Sequence, residues 1–245
     1  MRIAWLQAIP PLLLAATAAH AQDAVLSSRL TNVFGNFTVG AGPVVDNGGF
    51  SELLTTTSAS YAQDAADAGA VDGAFNGQPV QGSASFSSDA QYLFGGTQIT
   101  GSGSASTTGD TPFTYVSLGA NAISSVRLDF RLPVLTRFTL SGSITSTLGP
   151  DVGTRTSNAQ SSVQLTGTGL WTSDDDPGGF SASGTFLPNV TYRLAGNAST
   201  RINGDAQYSF NLLLSPVPEP ACWLLLAIGV PLLLARRTTA EVTRA

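Results

Sequence analysis

Few side chains in this sequence are suited to acid–base, nucleophilic or metal chemistry. The only histidine is His20 and the only cysteine is Cys222, each near one end of the chain, and lysine does not occur at all. The segment between Gln22 and Val217 therefore has no residues for a Ser-His-Asp or Cys-His triad, a Schiff-base lysine, or the usual zinc and copper sites. We predict no catalytic residue and no cofactor for this segment.

Carboxylates are the remaining candidates for catalysis. Glu52 is the only glutamate between Gln22 and Val217, and the other acids there are aspartates. A glycoside hydrolase needs two opposed carboxyl groups, one of them with a raised pKa. A hydrolase that uses a pair of aspartates therefore stays an alternative. Most of the aspartates, however, lie in sequences that favour turns, such as 46–49 (Asp-Asn-Gly-Gly) and 174–179.

Three successive aspartates, Asp174, Asp175 and Asp176, are the one candidate metal site. Flexible acidic loops bind hard cations such as Ca²⁺ through oxygen ligands. The spacing is not that of an EF-hand, and Pro-Gly-Gly follows the three aspartates directly. We therefore favour an exposed acidic turn and predict no metal site.

The C-terminal sequence predicts a membrane segment. Val217-Pro218-Glu219-Pro220 precedes an apolar run at 221–235, which Arg236 and Arg237 follow. The two prolines keep the backbone around Glu219 extended, because each fixes φ and disfavours helix in the residue before it. A helix of this run measures about 22 Å against a hydrocarbon core of ~30 Å, and flanking arginines can cover the difference. The arginine pair marks the cytoplasmic end.

Val-Pro-Glu-Pro, one hydrophobic helix and a terminal arginine cluster, in this order, resemble the PEP-CTERM sorting domain. The resemblance covers residues 216–237. It implies that a membrane-embedded exosortase is a partner, which recognises this signal and cleaves near it. The recognition residues implied are Pro218, Glu219, Pro220, Arg236 and Arg237. The alternative is an ordinary C-terminal anchor that is never cut.

The N-terminal sequence predicts a secretory signal peptide. Arg2 supplies a positive charge ahead of a short apolar stretch at 12–16, and Ala19 and Ala21 fit the rule for small residues before a cleavage site, which places the new N-terminus at Gln22. Together the two ends predict export by the secretory pathway. The precursor is then anchored transiently in the inner membrane, and the mature form lies at the cell surface or outside the cell.

The segment between the two ends predicts β-structure. Apolar and polar residues alternate from Val126 to Leu132, and the same period of two occurs at 84–94, 190–198 and 206–214. Such alternation is typical of antiparallel strands with one face on a core and one face in water. We predict an all-β body, either an antiparallel β-sandwich or a jelly-roll-like fold. The alanine-rich residues 62–74 are interpreted as a short helix or a surface loop.

These interpretations divide the chain into four parts. They are a signal peptide at 1–21, a β-sandwich body at 22–215, a sorting signal at 216–237 with a transmembrane helix at about 221–235, and a cytoplasmic tail at 238–245.

The composition of the body limits the classes of partner that it can bind. Between Gln22 and Val217 there are seven arginines against fourteen acidic residues. Nucleic-acid binding needs clustered cations, so we predict no nucleic-acid partner. The leading interpretation is a non-enzymatic exported protein of the cell surface or extracellular polysaccharide matrix, with exopolysaccharide as a further suggested partner. The alternative is a carbohydrate-binding or adhesive module that uses Trp171, the only tryptophan of the body, or the loops.

Overall fold

The structure, a computed structural model, describes residues 24–56, 58–166, 170–173 and 178–217. Twelve strands account for most of these residues. They are β1 (Val25–Ala41), β2 (Val44–Thr56), β3 (Ser60–Phe75), β4 (Gln78–Phe94), β5 (Gln98–Asp110), β6 (Ser117–Arg131), β7 (Thr136–Leu148), β8 (Asn158–Thr166), β9 (Leu170–Ser173), β10 (Gly178–Phe186), β11 (Thr191–Arg201) and β12 (Gly204–Pro216).

The strands form two antiparallel sheets of six strands each. Sheet 1 has the order β2-β1-β6-β11-β8-β9, and sheet 2 has the order β10-β7-β12-β5-β4-β3. Buried apolar residues from both sheets form one core cluster. The prediction of an all-β body made of antiparallel sheets is confirmed, and the two-sheet arrangement is consistent with the predicted sandwich.

Strand β6 shows how the sequence produces this arrangement. Val126, Leu128 and Phe130 are fully buried, whereas Arg127 and Asp129 between them remain partly exposed. Successive side chains of a strand point to opposite faces of its sheet, so this alternation commits one face of β6 to the core. The buried face stabilises the fold through the apolar area that it removes from water.

Four aromatic rings join the two sheets at one place in the core. The rings of Phe138 and Phe186, from sheet 2, stack with their centroids 4.3 Å apart. Phe186 also lies 4.2 Å from the ring of Tyr192 and 5.7 Å, edge to face, from the ring of Phe130, both from sheet 1. The completely buried Phe186 therefore contacts each of the other three rings.

Two glycines of sheet 1 make room for aromatic rings of sheet 2. A methyl group at Gly35 in β1 would overlap the ring of Phe86 in β4, and a methyl group at Gly196 in β11 would overlap the ring of Tyr208 in β12. Both rings are almost completely buried. The absence of a side chain at each glycine lets a large ring approach the opposite sheet.

The interpretation of residues 62–74 as a helix or surface loop is wrong. They belong to β3, which pairs with β4 from Ser60 to Phe75. The two strands are joined by Asn76 and Gly77, whose φ angles are 51° and 75°. Positive φ at both central residues is typical of the type I′ hairpin turn. The register that this turn imposes overrides the weak strand propensity of alanine and glycine.

The interpretation of residues 46–49 as a turn is also wrong, because they lie inside β2. Gly48 is opposite Phe37 of β1, and a methyl group there would overlap both the Phe37 ring and the carboxylate of Asp67 in β3. The glycine is required by this close approach of β2 to β3 and not by a turn.

Candidate functional site

The residues named by the sorting-signal and signal-peptide predictions lie outside the described ranges, as do the three candidate metal ligands. They are Ala19, Ala21, Gln22, Asp174, Asp175, Asp176, Pro218, Glu219, Pro220, Arg236 and Arg237. The predicted transmembrane helix at 221–235 and the side chain of Trp171 are likewise outside the description. In the ranges that are described, no helix is long and apolar enough to span a membrane.

A row of polar side chains crosses the outer face of sheet 1. Asn36 of β1 is paired with Asn121 of β6, Asn121 with Arg201 of β11, and Arg201 with Asn158 of β8. Directly paired residues of neighbouring strands point to the same face of the sheet. At a strand spacing of ~4.8 Å, the row extends over about 14 Å. We call these four residues the polar row.

The polar row borders a hollow of about 490 Å³, which Asn36, Thr38, Gly119, Asn121 and Arg201 help to line. Gly119 leaves space there, since a methyl group at this position would meet no atom within 4 Å. Asn36 and Arg201 are exposed, and Asn121 is half-buried. The polar row is therefore open to a ligand on the surface of the sheet.

An apolar pair lies beside the polar row. Phe34 and Ile123, two residues from Asn36 and Asn121 along their strands, are directly paired. Both side chains are half-buried. A phenyl ring and a branched alkyl group on an outer sheet face offer a flat apolar contact area next to the hydrogen-bonding groups.

The polar row has its hydrogen-bonding capacity unused. Among the described residues, no side-chain hydrogen bond involves Asn36, Asn121, Asn158 or Arg201. A carboxamide donates two hydrogen bonds and accepts others, and a guanidinium group donates up to five. Vicinal hydroxyl groups of a sugar can both donate and accept. The polar row together with the apolar pair therefore suits a ligand that carries many hydroxyl groups and has apolar ring faces.

At the opposite end of the outer face of sheet 1, by contrast, two arginines donate hydrogen bonds to an aspartate. Asp129 accepts hydrogen bonds from Ser28 Oγ (3.0 Å), Arg127 Nη2 (3.2 Å) and Arg193 Nε (2.7 Å). Burial opposes the charged form of Asp129, but these three donors outweigh burial and lower the pKa of its carboxyl group. Ser28, Arg127 and Arg193 therefore provide Asp129 with hydrogen-bond partners inside the fold.

A larger hollow of about 700 Å³ lies among the ends of β5, β7 and β12. The side chain of Asn203 donates to the carbonyl oxygens of Gly109 (3.0 Å) and Pro150 (2.9 Å), and its Oδ1 accepts from the Gly109 amide at 2.7 Å. Asp151 accepts from the amide of Ser157 at 2.7 Å. Because these groups hold the surrounding turns together, we assign them a structural role and regard the polar row as the better ligand site.

Two aspartates, Asp46 of β2 and Asp67 of β3, lie where these two strands approach each other. Asp46 Oδ2 accepts a hydrogen bond from the amide of Ala70 at 3.2 Å, and Asp67 Oδ1 accepts one from the amide of Ala68 at 2.9 Å. Within the described ranges, no three acidic, histidine or cysteine side chains form a group that could hold a metal ion.

Arg29 is a buried cation in the core. Its guanidinium carbon lies 5.0 Å from the ring centroid of Tyr61 and 4.9 Å from that of Tyr92, and Nη1 donates to the Tyr92 hydroxyl. Among the described residues, no carboxylate forms an ion pair with it. Burial raises the pKa of Tyr92, although the hydrogen bond from Arg29 acts in the opposite direction. The contacts are those of a cation held between two aromatic faces.

The polar row was not apparent from the sequence. Its members are spread from Asn36 to Arg201, and only the pairing of β1, β6, β11 and β8 brings them together. Alternation alone places Asn121 on the face opposite the buried Ala120 and Ala122, but it does not specify neighbours. The register between non-consecutive strands was the missing information.

Comparison with protein-family models gives no match for this chain, and comparison with curated proteins gives none either.

Proposed function

We propose that this chain is a non-enzymatic exported protein of the cell surface or extracellular polysaccharide matrix, and that its β body binds polysaccharide. The observation that carries the proposal is the polar row beside Phe34 and Ile123. Its amides and its guanidinium group are unengaged within the described residues.

The geometry of this surface favours an extended ligand. The polar row crosses four strands, and a hollow of about 490 Å³ lies beside it. Each hydrogen bond to a sugar hydroxyl contributes ~1 kcal/mol net, because water is displaced from both partners. Several such bonds along one chain, together with an apolar ring face on Phe34, give useful affinity without a deep pocket. This is the binding mode that we propose for exopolysaccharide.

We further propose that the two chain ends deliver the body to this location. The predicted signal peptide ends at Ala21, and the sequence at 216–237 resembles the PEP-CTERM sorting domain. Exosortase is the proposed processing partner, with Pro218, Glu219 and Pro220 as the extended recognition segment. Arg236 and Arg237 complete the signal.

Substitutions in the polar row are expected to weaken polysaccharide binding. Asn121→Ala removes one amide and should raise Kd about fivefold, and the double variant Asn121→Ala/Arg201→Ala should raise it at least about 50-fold. The measurement is retention of the full chain, in non-ionic detergent, on immobilised exopolysaccharide from the producing cells. A neutral glucan and an acidic polyuronate serve as comparison ligands.

Asn197→Ala is the matched control for this experiment. Asn197 lies in the same strand and on the same face as Arg201, but it is paired with Ser125 and Ser162, two rows away from the polar row. Its replacement should leave retention unchanged. Polysaccharide binding by this surface is contradicted if the wild-type chain is retained on none of the three ligands, or if the double variant is retained as strongly as Asn197→Ala.

A further inference from the structure

The outer faces of the two sheets carry opposite charge. On the described strands of sheet 1, the charged residues that point away from the core are four arginines and one aspartate. They are Arg127, Arg131, Arg193, Arg201 and Asp129. We call this the cationic face.

On the described strands of sheet 2, the outward-pointing charged residues are five aspartates and one arginine. They are Asp64, Asp72, Asp89, Asp110, Asp205 and Arg137. Asp64 is paired directly with Asp89, so two like charges are neighbours in the absence of a partner. We call this the acidic face.

Between its charged residues, the acidic face carries polar side chains that form hydrogen bonds within the face. Gln91 Nε2 donates to Ser102 Oγ at 2.9 Å, the hydroxyls of Ser143 and Ser209 are 2.9 Å apart, and Ser104 donates to Asp89. These bonds order the surface before any partner binds. An ordered surface loses little conformational entropy on association.

We propose that copies of this chain associate by stacking the cationic face of one copy on the acidic face of the next. The occupant is a second copy because the same molecule carries both complementary surfaces. The two faces are different, so the contact is heterologous and leaves one free face at each end of an assembly. This arrangement allows open stacks. Because the cationic face includes Arg201 of the polar row, a stacked copy covers the surface proposed for polysaccharide, and only the free cationic face at the end of a stack is left for that ligand.

The physical basis predicts strong salt dependence. The charges lie on exposed surfaces, where each pair contributes little, and the attraction comes from the sum over the faces. The Debye length is ~20 Å in about 0.02 M NaCl and ~4 Å in about 0.5 M NaCl. The stacks therefore form at low ionic strength and separate at high ionic strength.

A charge-exchange experiment tests the stacking. The first variant, Arg131→Glu/Arg201→Glu, makes both faces acidic, and the second, Asp64→Lys/Asp110→Lys/Asp205→Lys, makes both faces cationic. Analytical ultracentrifugation of the full chain in non-ionic detergent measures association. We expect stacks of the wild-type chain at low salt, at least a tenfold weaker association constant for each variant alone, and recovery of stacks when the two variants are mixed.

Arg137→Glu is the control for net charge. It changes the net charge of the chain by the same amount as reversal of one arginine of the cationic face, but Arg137 lies on the acidic face. It should leave the stacks intact or strengthen them. Far-UV circular dichroism checks that every variant keeps its strands. A wild-type chain without salt-dependent association would overturn the proposal, as would variants that associate as the wild type does or a mixture that stays unassociated.

Discussion

Phe186→Ala is expected to lower the free energy of unfolding by about 4 kcal/mol, within the range of ~3–5 kcal/mol for large-to-small changes in cores. Phe186 is completely buried. Its ring contacts Phe138 of its own sheet and the rings of Phe130 and Tyr192 from the other sheet. Removing it leaves a cavity between the sheets that the surrounding strands cannot close without giving up their pairing.

Phe180→Ala is the matched control for this prediction. Phe180 lies in the same strand, but it is only partly buried at the edge of the core. Its loss should cost about 1–2 kcal/mol, because less apolar area returns to water. Urea unfolding of the full chain in detergent, followed by far-UV circular dichroism, measures both values. Equal costs for the two variants would contradict the assigned role of Phe186 in joining the sheets.

Gly35→Ala is expected to destabilise the body by about 3 kcal/mol, a large effect for one added methyl group. The new Cβ would overlap the ring of Phe86, which reaches β1 from the opposite sheet. Phe86 is 2 % exposed and has little room to move. The loss of stability is therefore caused by overpacking, and it should be smaller when Phe86 is also replaced by leucine.

Gly119→Ala is the control for this prediction, because it introduces alanine into a strand without such an overlap. Gly119 lies in β6 on the outer face, and a methyl group there would meet no atom within 4 Å. The expected change in the free energy of unfolding is within about 0.5 kcal/mol. A double-mutant cycle with Gly35→Ala and Phe86→Leu then measures the coupling. Independent effects of these two substitutions would contradict the packing account.

The strand pattern could be predicted from the sequence wherever large apolar residues alternate with polar ones. Val126, Leu128 and Phe130 identify the inner face of β6 without any structure, and the alternation places Asp129 on the other face. Hydrophobic burial is the dominant force at these positions. Local sequence and final structure therefore agree there.

Two strand segments were missed for different physical reasons. Residues 62–74 have the composition of a helix or loop, but the Asn76-Gly77 turn folds β3 onto β4 and fixes its register. Gly48 and Gly49 were interpreted as a turn, whereas Gly48 is needed because Phe37 and Asp67 fill the space of its missing side chain. Long-range packing determines both structures.

The polar row could not be predicted because it depends on pairing across the whole chain. Asn36, Asn121 and Arg201 become neighbours only when β1, β6 and β11 pair in the sheet. The predicted sorting signal is the opposite case, because its residues are contiguous in sequence and lie outside the described ranges. It can be tested directly by determining where the mature chain begins and ends.

The most direct test of the proposed function is the intact mass of the protein recovered from cells that contain an exosortase. We expect a mature chain that begins at Gln22 and has lost the apolar run at 221–235. The Glu219→Ala variant should instead remain at the membrane with its tail attached. Recovery of both the wild-type chain and the Glu219→Ala variant with Leu224 to Leu234 still present would contradict sorting and processing of this chain.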